Sequence, residues 1–295
     1  MVKRESISAA ARAVIGLALV VSLFGACNRG GRGFHLASSS DAATGGPANG
    51  PGAPSTAPVA SYADVVSKAA PAVVTVHTEM RVRQPQQFPF MNDPFFRQFF
   101  GERGTQQQQA QPKREALGSG VIVTADGYIL TNHHVIDGAD KISVDFNDGR
   151  TLEAKVVGTD PPSDLAVLKV DASNLPTLVL GNSDNARIGD VVLAIGNPLG
   201  VGQTVTMGII SAKGRQTGLS NGSFEDFLQT DAPINQGNSG GALVSTNHEL
   251  IGINSQILSP SGGSIGLGFA IPSNMARTVM EQLVNHGKVR RGQLG

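Results

Sequence analysis

From Ser61 onward the chain is a succession of short apolar runs closed by turn residues. They read VVTVHTEMRV, GSGVIVT, YILTNHHVI, KISVDF, LEAKVVG, DLAVLKV, VVLAIG, TVTMGIISA, GALVS, LIGINSQIL and GLGFAI. Runs of this length, rich in β-branched residues, suit strands and are too short for helices. Asp126-Gly127 and Asp148-Gly149 are hairpin-type turn pairs. Many closely spaced strands predict a mostly β sandwich or barrel. Roughly 230 residues suffice for two such units. The 37 glycines and 16 prolines fit a loop-rich β protein. SYADVVSKAAP predicts a short helix ended by Pro71. PSNMARTVMEQLVNHGK predicts a longer one, with Ser273 as N-cap, Met275, Val279 and Leu283 on one face, and Gly287 as terminator.

The first 60 residues have a different character. Lys3, Arg4 and Arg12 precede an apolar run from Ala13 to Ala26, which is short for a membrane span and has the basic flank of a secretory signal. The run ends LFGAC. Small residues before Cys27, the lone cysteine, resemble a bacterial lipoprotein signal in which that cysteine is lipidated, although Phe24 stands where leucine is usual. Ordinary cleavage near Ala26 and retention as an anchor are the alternatives, and all three imply export. Residues 28–60 are Gly, Ser, Ala and Pro with almost no large apolar side chains, the composition of a disordered tether. One cysteine excludes an intramolecular disulfide. With 23 basic and 23 acidic residues, nothing in the charge points to nucleic acid.

Residues 84–113, QPQQFPFMNDPFFRQFFGERGTQQQQAQPK, break the strand rhythm. Six of the 12 phenylalanines lie between Phe88 and Phe100. Phe95, Phe96, Phe99 and Phe100 have helical spacing. The segment either packs on its own domain or docks on a partner subunit or over a cleft. Concentrated aromatics favour docking.

The chemistry centres on DAPINQGNSGGAL, residues 231–243. Ser239 sits between glycines, either in a plain tight turn or as an exposed nucleophile with backbone N–H groups around it. A serine hydroxyl needs a base, and the base needs an orienting acid. His35 lies in the tether and His77 alternates within a strand. His133 and His134 follow GYIL in TNHHVIDGA, and in an extended segment only one of them faces a site. Asp164, after a Pro-Pro turn in DPPSDLAVLKV, is the acid candidate; Asp160 is its competitor for the role of solvated turn residue. GNSGG also fits the G-x-S-x-G elbow of α/β-hydrolases, but that fold requires Ser before acid before His. No aspartate follows Ser239, and Glu249, Glu281 and His286 would have to serve. The order here is His, Asp, Ser. No HExxH or second cysteine supports a metal site.

With these motifs the chain resembles the HtrA/Deg-type (Do-like) serine proteases of the chymotrypsin-like group. TNHHVIDGA, DPPSDLAVLKV, QTDAPINQGNSGGAL, GNPLGVGQTVTMGIIS, GFAIPSNM and KVRRGQLG all occur in the family's order. The resemblance covers residues 61–295. It implies two six-stranded β-barrels, split near residue 175 and followed by a C-terminal helix, in a protease domain over 61–288. It implies His134 as base, Asp164 as its orienting acid and Ser239 as nucleophile, with no cofactor. Gly237 and Ser239 would supply the oxyanion-hole N–H groups and Asn238 would shape the turn. His133 stands where the family often has asparagine. Ile234 and the loop Ser255, Gln256, Ile257, Leu258 and Ser259 would line an apolar specificity pocket. The implied function is an exported, periplasmic endopeptidase of unfolded proteins; the alternative is a chaperone-like binder with a resting site. A homotrimer is implied, with Tyr62 and the aromatic insertion as candidate contributors. Residues 289–295 match the start of a linker to the family's PDZ domain, which implies either a protease-only form or a truncated sequence.

Overall fold

The computed structural model describes residues 61–81, 113–197, 202–218, 224–260 and 263–291. The signal with Cys27, the 28–60 tether and the phenylalanine-rich stretch lie outside them, and of the 84–113 insertion only Lys113 is described, as the first residue of a strand.

Among the described residues, twelve strands form two closed barrels of six. The first contains β1 (Val73–Arg81), β2 (Lys113–Ile122), β3 (Tyr128–Thr131), β4 (Lys141–Asp145), β5 (Thr151–Asp160) and β6 (Leu165–Val170). The second contains β7 (Val191–Gly196), β8 (Thr204–Arg215), β9 (Phe227–Thr230), β10 (Ala242–Ser245), β11 (Leu250–Ile257) and β12 (Gly268–Pro272). Around the first barrel the order is β1-β2-β3-β6-β5-β4, and around the second β7-β8-β9-β12-β11-β10. The two circuits have the same topology, and every strand pairing is antiparallel. Closure leaves neither sheet with an open edge strand among the described residues.

The continuous apolar run VVLAIG has a structural reason. Along β7, Val192 and Ala194 point into the second barrel's own cluster, whereas Leu193 and Ile195 join the cluster that fills the first barrel. Strand side chains alternate faces, so a strand buried on both sides must be apolar at every position. Leu243 against Val244 on β10, and Ile251 against Leu250 on β11, divide in the same way. The barrels therefore dock through one apolar layer. The connection between them is tied down as well: Leu178 N–H donates to Ile122 O, and Gly181 N–H to Leu250 O.

Three helices complete the described chain. The first, α1 (Ala63–Ala69), continues into a 3-10 turn (Ala70–Ala72) that contains Pro71 rather than stopping before it. A single turn, α2 (His133–Ile136), holds both histidines, so the TNHHVIDGA segment is helical there and not extended. The last, α3 (Ser273–His286), ends at Gly287 in the left-handed conformation. Ser273 is its first helical residue and not its cap; the hydroxyl instead donates to Gly181 O at 2.9 Å and pins the helix to the inter-barrel connection. Ala276, Val279 and Leu283 form the buried stripe, and Met275 packs only partly. Leu283 lies on β5 where residue 158 is glycine; a Cβ there would come within 3.0 Å of Leu283 Cδ2.

Leu283 is 1% exposed. Leu283→Ala is therefore expected to cost about 2–5 kcal/mol of folding free energy in urea denaturation. A loss under about 0.5 kcal/mol, the size of an ordinary surface effect, would show that α3 is not part of the cooperative core.

Candidate active site

The end of β5 and the start of β6 are joined by the 3-10 turn Pro161–Ser163, and Asp164 follows it in the left-handed conformation, φ 53° and ψ 39°. Aspartate tolerates that region better than most non-glycine residues. The turn gives Asp164 two acceptors on one side. Its carbonyl takes His133 N–H at 3.1 Å and Asn132 Nδ2 at 3.0 Å. Its carboxylate takes His134 N–H at 3.0 Å, and His134 Nδ1 lies 2.8 Å from Oδ2 and 3.0 Å from Oδ1. Ser255 Oγ, from β11 of the other barrel, donates to Oδ2 at 2.8 Å. An ionised carboxylate only accepts, so the neutral ring carries its proton on Nδ1, which leaves Nε2 as the basic nitrogen. Burial alone would raise the Asp164 pKa. The charge of His134 and the hydrogen bonds from His134 and Ser255 outweigh it and hold the carboxyl below its ordinary range. His133 turns away: its Nε2 is 3.8 Å from Asp137, and its Nδ1 is buried with no hydrogen-bond partner among the described residues.

Ser239 stands just before β10, and its residue is 7% exposed. Its hydroxyl donates to Ser255 O at 3.0 Å. Ser255 thus touches both the acid and the serine, and through it Asp164, His134 and Ser239 converge where the two barrels meet. Around the serine the backbone N–H groups divide into two sets. Asn238 N–H donates to Asn235 O, Gly240 N–H to Asn254 O and Gly241 N–H to Asn238 O. The N–H groups of Gly237 and Ser239 donate to no acceptor among the described residues. Gly240 has φ +82°, and a Cβ there would lie 2.1 Å from Ser119 O, so only glycine fits.

Of the remaining residues singled out in the sequence, Ile234 and Ile257 are each 2% exposed and belong to the second barrel's apolar cluster. Leu258 is 44% exposed. Gln256 Nε2 donates to Thr217 Oγ1 at 2.8 Å, and Ser259 is partly buried. The bridging contacts of Ser255 were not foreseen, nor was Ser119, whose N–H donates to Ser239 O at 2.8 Å.

Asp160 corrects an expectation. It is not a solvated turn residue but is 4% exposed, and it forms a two-pronged pair with Arg291. Arg291 Nη1 lies 2.7 Å from Oδ1, Nη2 binds Oδ2, and Ser163 Oγ also donates to Oδ2. The guanidinium lies 5.2 Å from the centre of the Phe224 ring, whose own N–H donates to Pro162 O. The chain beyond α3 is thus fastened to the turn that presents Asp164. Burial would raise the Asp160 pKa, but hydrogen bonds from Arg291 and Ser163 and the Arg291 charge lower it overall. Arg291→Ala would leave the carboxylate buried beside Ser163 and is expected to cost roughly 1–3 kcal/mol in urea denaturation. A depressed folded pKa means the pair stabilises the fold fully above the unfolded aspartate value, about 3.9, and that this stabilisation is lost as pH falls through the folded value. The gap between wild type and variant should therefore be constant near neutrality and close under acid. A gap that widened on acidification would contradict this assignment.

Known proteins bear on the geometry. A trypsin-like peptidase domain matches residues 118–253. The chain is 52% identical over 241 residues to the periplasmic pH-dependent serine endoprotease DegQ of Escherichia coli K12, covering 81% of this chain and 51% of that protein. It is 49% identical over 257 residues to the periplasmic serine endoprotease DegP of the same organism, with coverages of 80% and 53%. The chain spans about half the length of these curated relatives. Among solved structures, the HtrA-type protease AlgW with a decapeptide is 56% identical, covers 80% of this chain and 71% of that one, and superposes with a TM-score of 0.66. The serine endoprotease from Yersinia pestis is 46% identical, with coverages of 78% and 68% and a TM-score of 0.58. Sequence identity and the twin-barrel fold agree, and the chain belongs to the HtrA-type family of trypsin-like serine proteases.

Proposed function

We propose that the protein is a serine endopeptidase of the cell envelope that hydrolyses unfolded or misfolded proteins in quality control. The observation that carries this reading is the hydrogen-bonded pair of Asp164 and His134 beside a serine whose loop leaves two N–H groups without an acceptor among the described residues. Asp164 accepts from the backbone N–H and the ring Nδ1–H of His134 and keeps the ring proton on Nδ1. His134 Nε2 takes the Ser239 proton as Oγ attacks the peptide carbonyl. The Ser239 hydroxyl first swings away from Ser255 O, a rotation about one side-chain bond. The N–H groups of Gly237 and Ser239 receive the oxyanion, each donor stabilising the transition state by about 3 kcal/mol. His134 then protonates the leaving amine, and water activated by the same nitrogen releases the acyl group. No step requires a cofactor.

The pocket chemistry supports small or medium aliphatic residues before the cut. Ile234, Ile257 and Leu258 are apolar, and Ser255, Gln256 and Ser259 are neutral, so no side chain of the set selects lysine or arginine. Export to the periplasm, lipid anchoring through Cys27 and assembly as a homotrimer complete the proposal. The relatives' periplasmic names support the location.

The test is digestion of unfolded β-casein by the chain, with fragments read by mass spectrometry. Cuts after aliphatic residues are expected. Ser239→Ala should lower kcat by about 10⁶, to background, and Asp164→Asn by about 10⁴ through loss of the correct tautomer. Cleavage that survives Ser239→Ala would refute the mechanism. A folded protein that holds casein without cutting it would favour the chaperone-like alternative, and cuts mainly after arginine would refute the pocket.

A further inference from the structure

We propose that Ser119 is a positioning residue for this hydrolysis: its hydroxyl fixes the peptide that follows Gly237 and so keeps the two oxyanion donors aimed. This rests on the peptidase reading above. Ser119 lies on β2 of the first barrel, far in sequence from the nucleophile loop, and is 0% exposed. Its Oγ donates to Gly237 O at 2.6 Å and accepts Asn197 N–H at 2.9 Å. Because Asn197 supplies a proton to that oxygen, the hydroxyl's own proton is committed to Gly237. Asn197 is itself held, with Nδ2 donating to Thr75 Oγ1 and Oδ1 accepting Gly202 N–H. The main chain of Ser119 contributes too. Its N–H donates to Ser239 O, and its carbonyl takes the Thr131 hydroxyl at 2.7 Å.

The loop needs such a restraint. Gly237 sits at φ +94°, and Gly237, Gly240 and Gly241 flank Asn238 and Ser239. Glycine has a broad conformational range and does not hold an orientation unaided. The two peptide planes that flank the Ser239 N–H are pinned from outside themselves. In the 237–238 plane, Ser119 Oγ holds the oxygen and Asn235 O holds the N–H. In the 239–240 plane, Ser119 N–H holds the oxygen and Asn254 O holds the N–H. One buried residue therefore grips the planes on both sides of the Ser239 N–H. The engaged set leaves Gly237 N–H and Ser239 N–H as the donors without an acceptor among the described residues. Without the hydroxyl, the 237–238 plane keeps only the bond from its N–H and can rotate, taking the neighbouring donors off axis. Donor position matters because an oxyanion hole works only when its dipoles are already oriented as charge develops.

The experiment compares the whole chain with Ser119→Ala and Ser119→Thr, using an aliphatic peptide substrate and a fluorophosphonate that labels the nucleophile. For Ser119→Ala, kcat is expected to fall roughly 10- to 100-fold, less than for outright loss of a donor, and KM to change by less than about threefold, because the ground-state carbonyl depends little on the hole. The labelling rate at Ser239 should fall in parallel with kcat. Ser119→Thr, which keeps the hydroxyl, should retain most of both rates. If the alanine variant does not fold by circular dichroism, Ser119→Cys takes its place, with a weaker donor of similar size and an intermediate loss expected in both readouts. A folded Ser119→Ala or Ser119→Cys protein with unchanged kcat and labelling would overturn the proposal, as would a loss confined to KM. Wild-type protein that is not labelled at Ser239 would instead refute the peptidase reading itself, and the proposal with it.

Discussion

One carboxylate ties the two halves of this molecule together. Asp164 takes the backbone and ring of His134 from its own barrel and the hydroxyl of Ser255 from the other. Neither barrel alone contains the arrangement. The histidine follows β3, the aspartate precedes β6, the serine precedes β10 and Ser255 belongs to β11. The function proposed for the site therefore depends on how accurately one barrel seats on the other. The same hydrogen bonds overcome the cost of a partly buried charge, which would otherwise push the aspartate toward its neutral form.

Seating is accomplished by apolar packing and then refined by polar contacts. Leu193, Ile195, Val244, Leu250 and Ile253 leave their own barrel's interior to join the first barrel's cluster. Side chains locked in a close-packed layer have little freedom to slide. Upon that layer sit a few directed bonds across the interface, of which Ser119 to the nucleophile loop and Ser255 to Asp164 are the closest to the chemistry. The C-terminal side adds a brace. α3 lies on β5, and Arg291 beyond it fastens Asp160, four positions before the candidate acid. The chain leaving α3 is thus linked to Asp164 through one ion pair and the short stretch of backbone from Asp160.

Much of this was legible in the sequence because it is local. Short apolar runs closed by turn residues, and Asp-Gly pairs, mark strands and turns wherever they fold. The order of His134, Asp164 and Ser239 argues against an α/β-hydrolase without any structure. What was not legible depends on distant partners. Nothing near Asp160 announces Arg291, which is 131 residues away, and nothing in GSGVIVT announces that Ser119 meets Gly237, 118 residues on. The helical turn at His133 and His134 was missed because a four-residue helix has no periodicity to detect. Ser273 looked like a cap on composition alone, but Gly181 O offered its hydroxyl a tertiary partner. The doubly buried faces of β7 were visible as a continuous apolar run, although the run alone does not say that the second face meets another barrel.

The most direct measurement is a crystal structure of the chain soaked with an aliphatic peptide boronate, a mimic of the tetrahedral intermediate. The expected result is a covalent bond from Ser239 Oγ to boron, His134 Nε2 within hydrogen-bond distance, and one boronate oxygen bonded to the N–H groups of both Gly237 and Ser239. A boronate bound elsewhere, or bonded to Ser239 with its oxygen away from both donors, would contradict it.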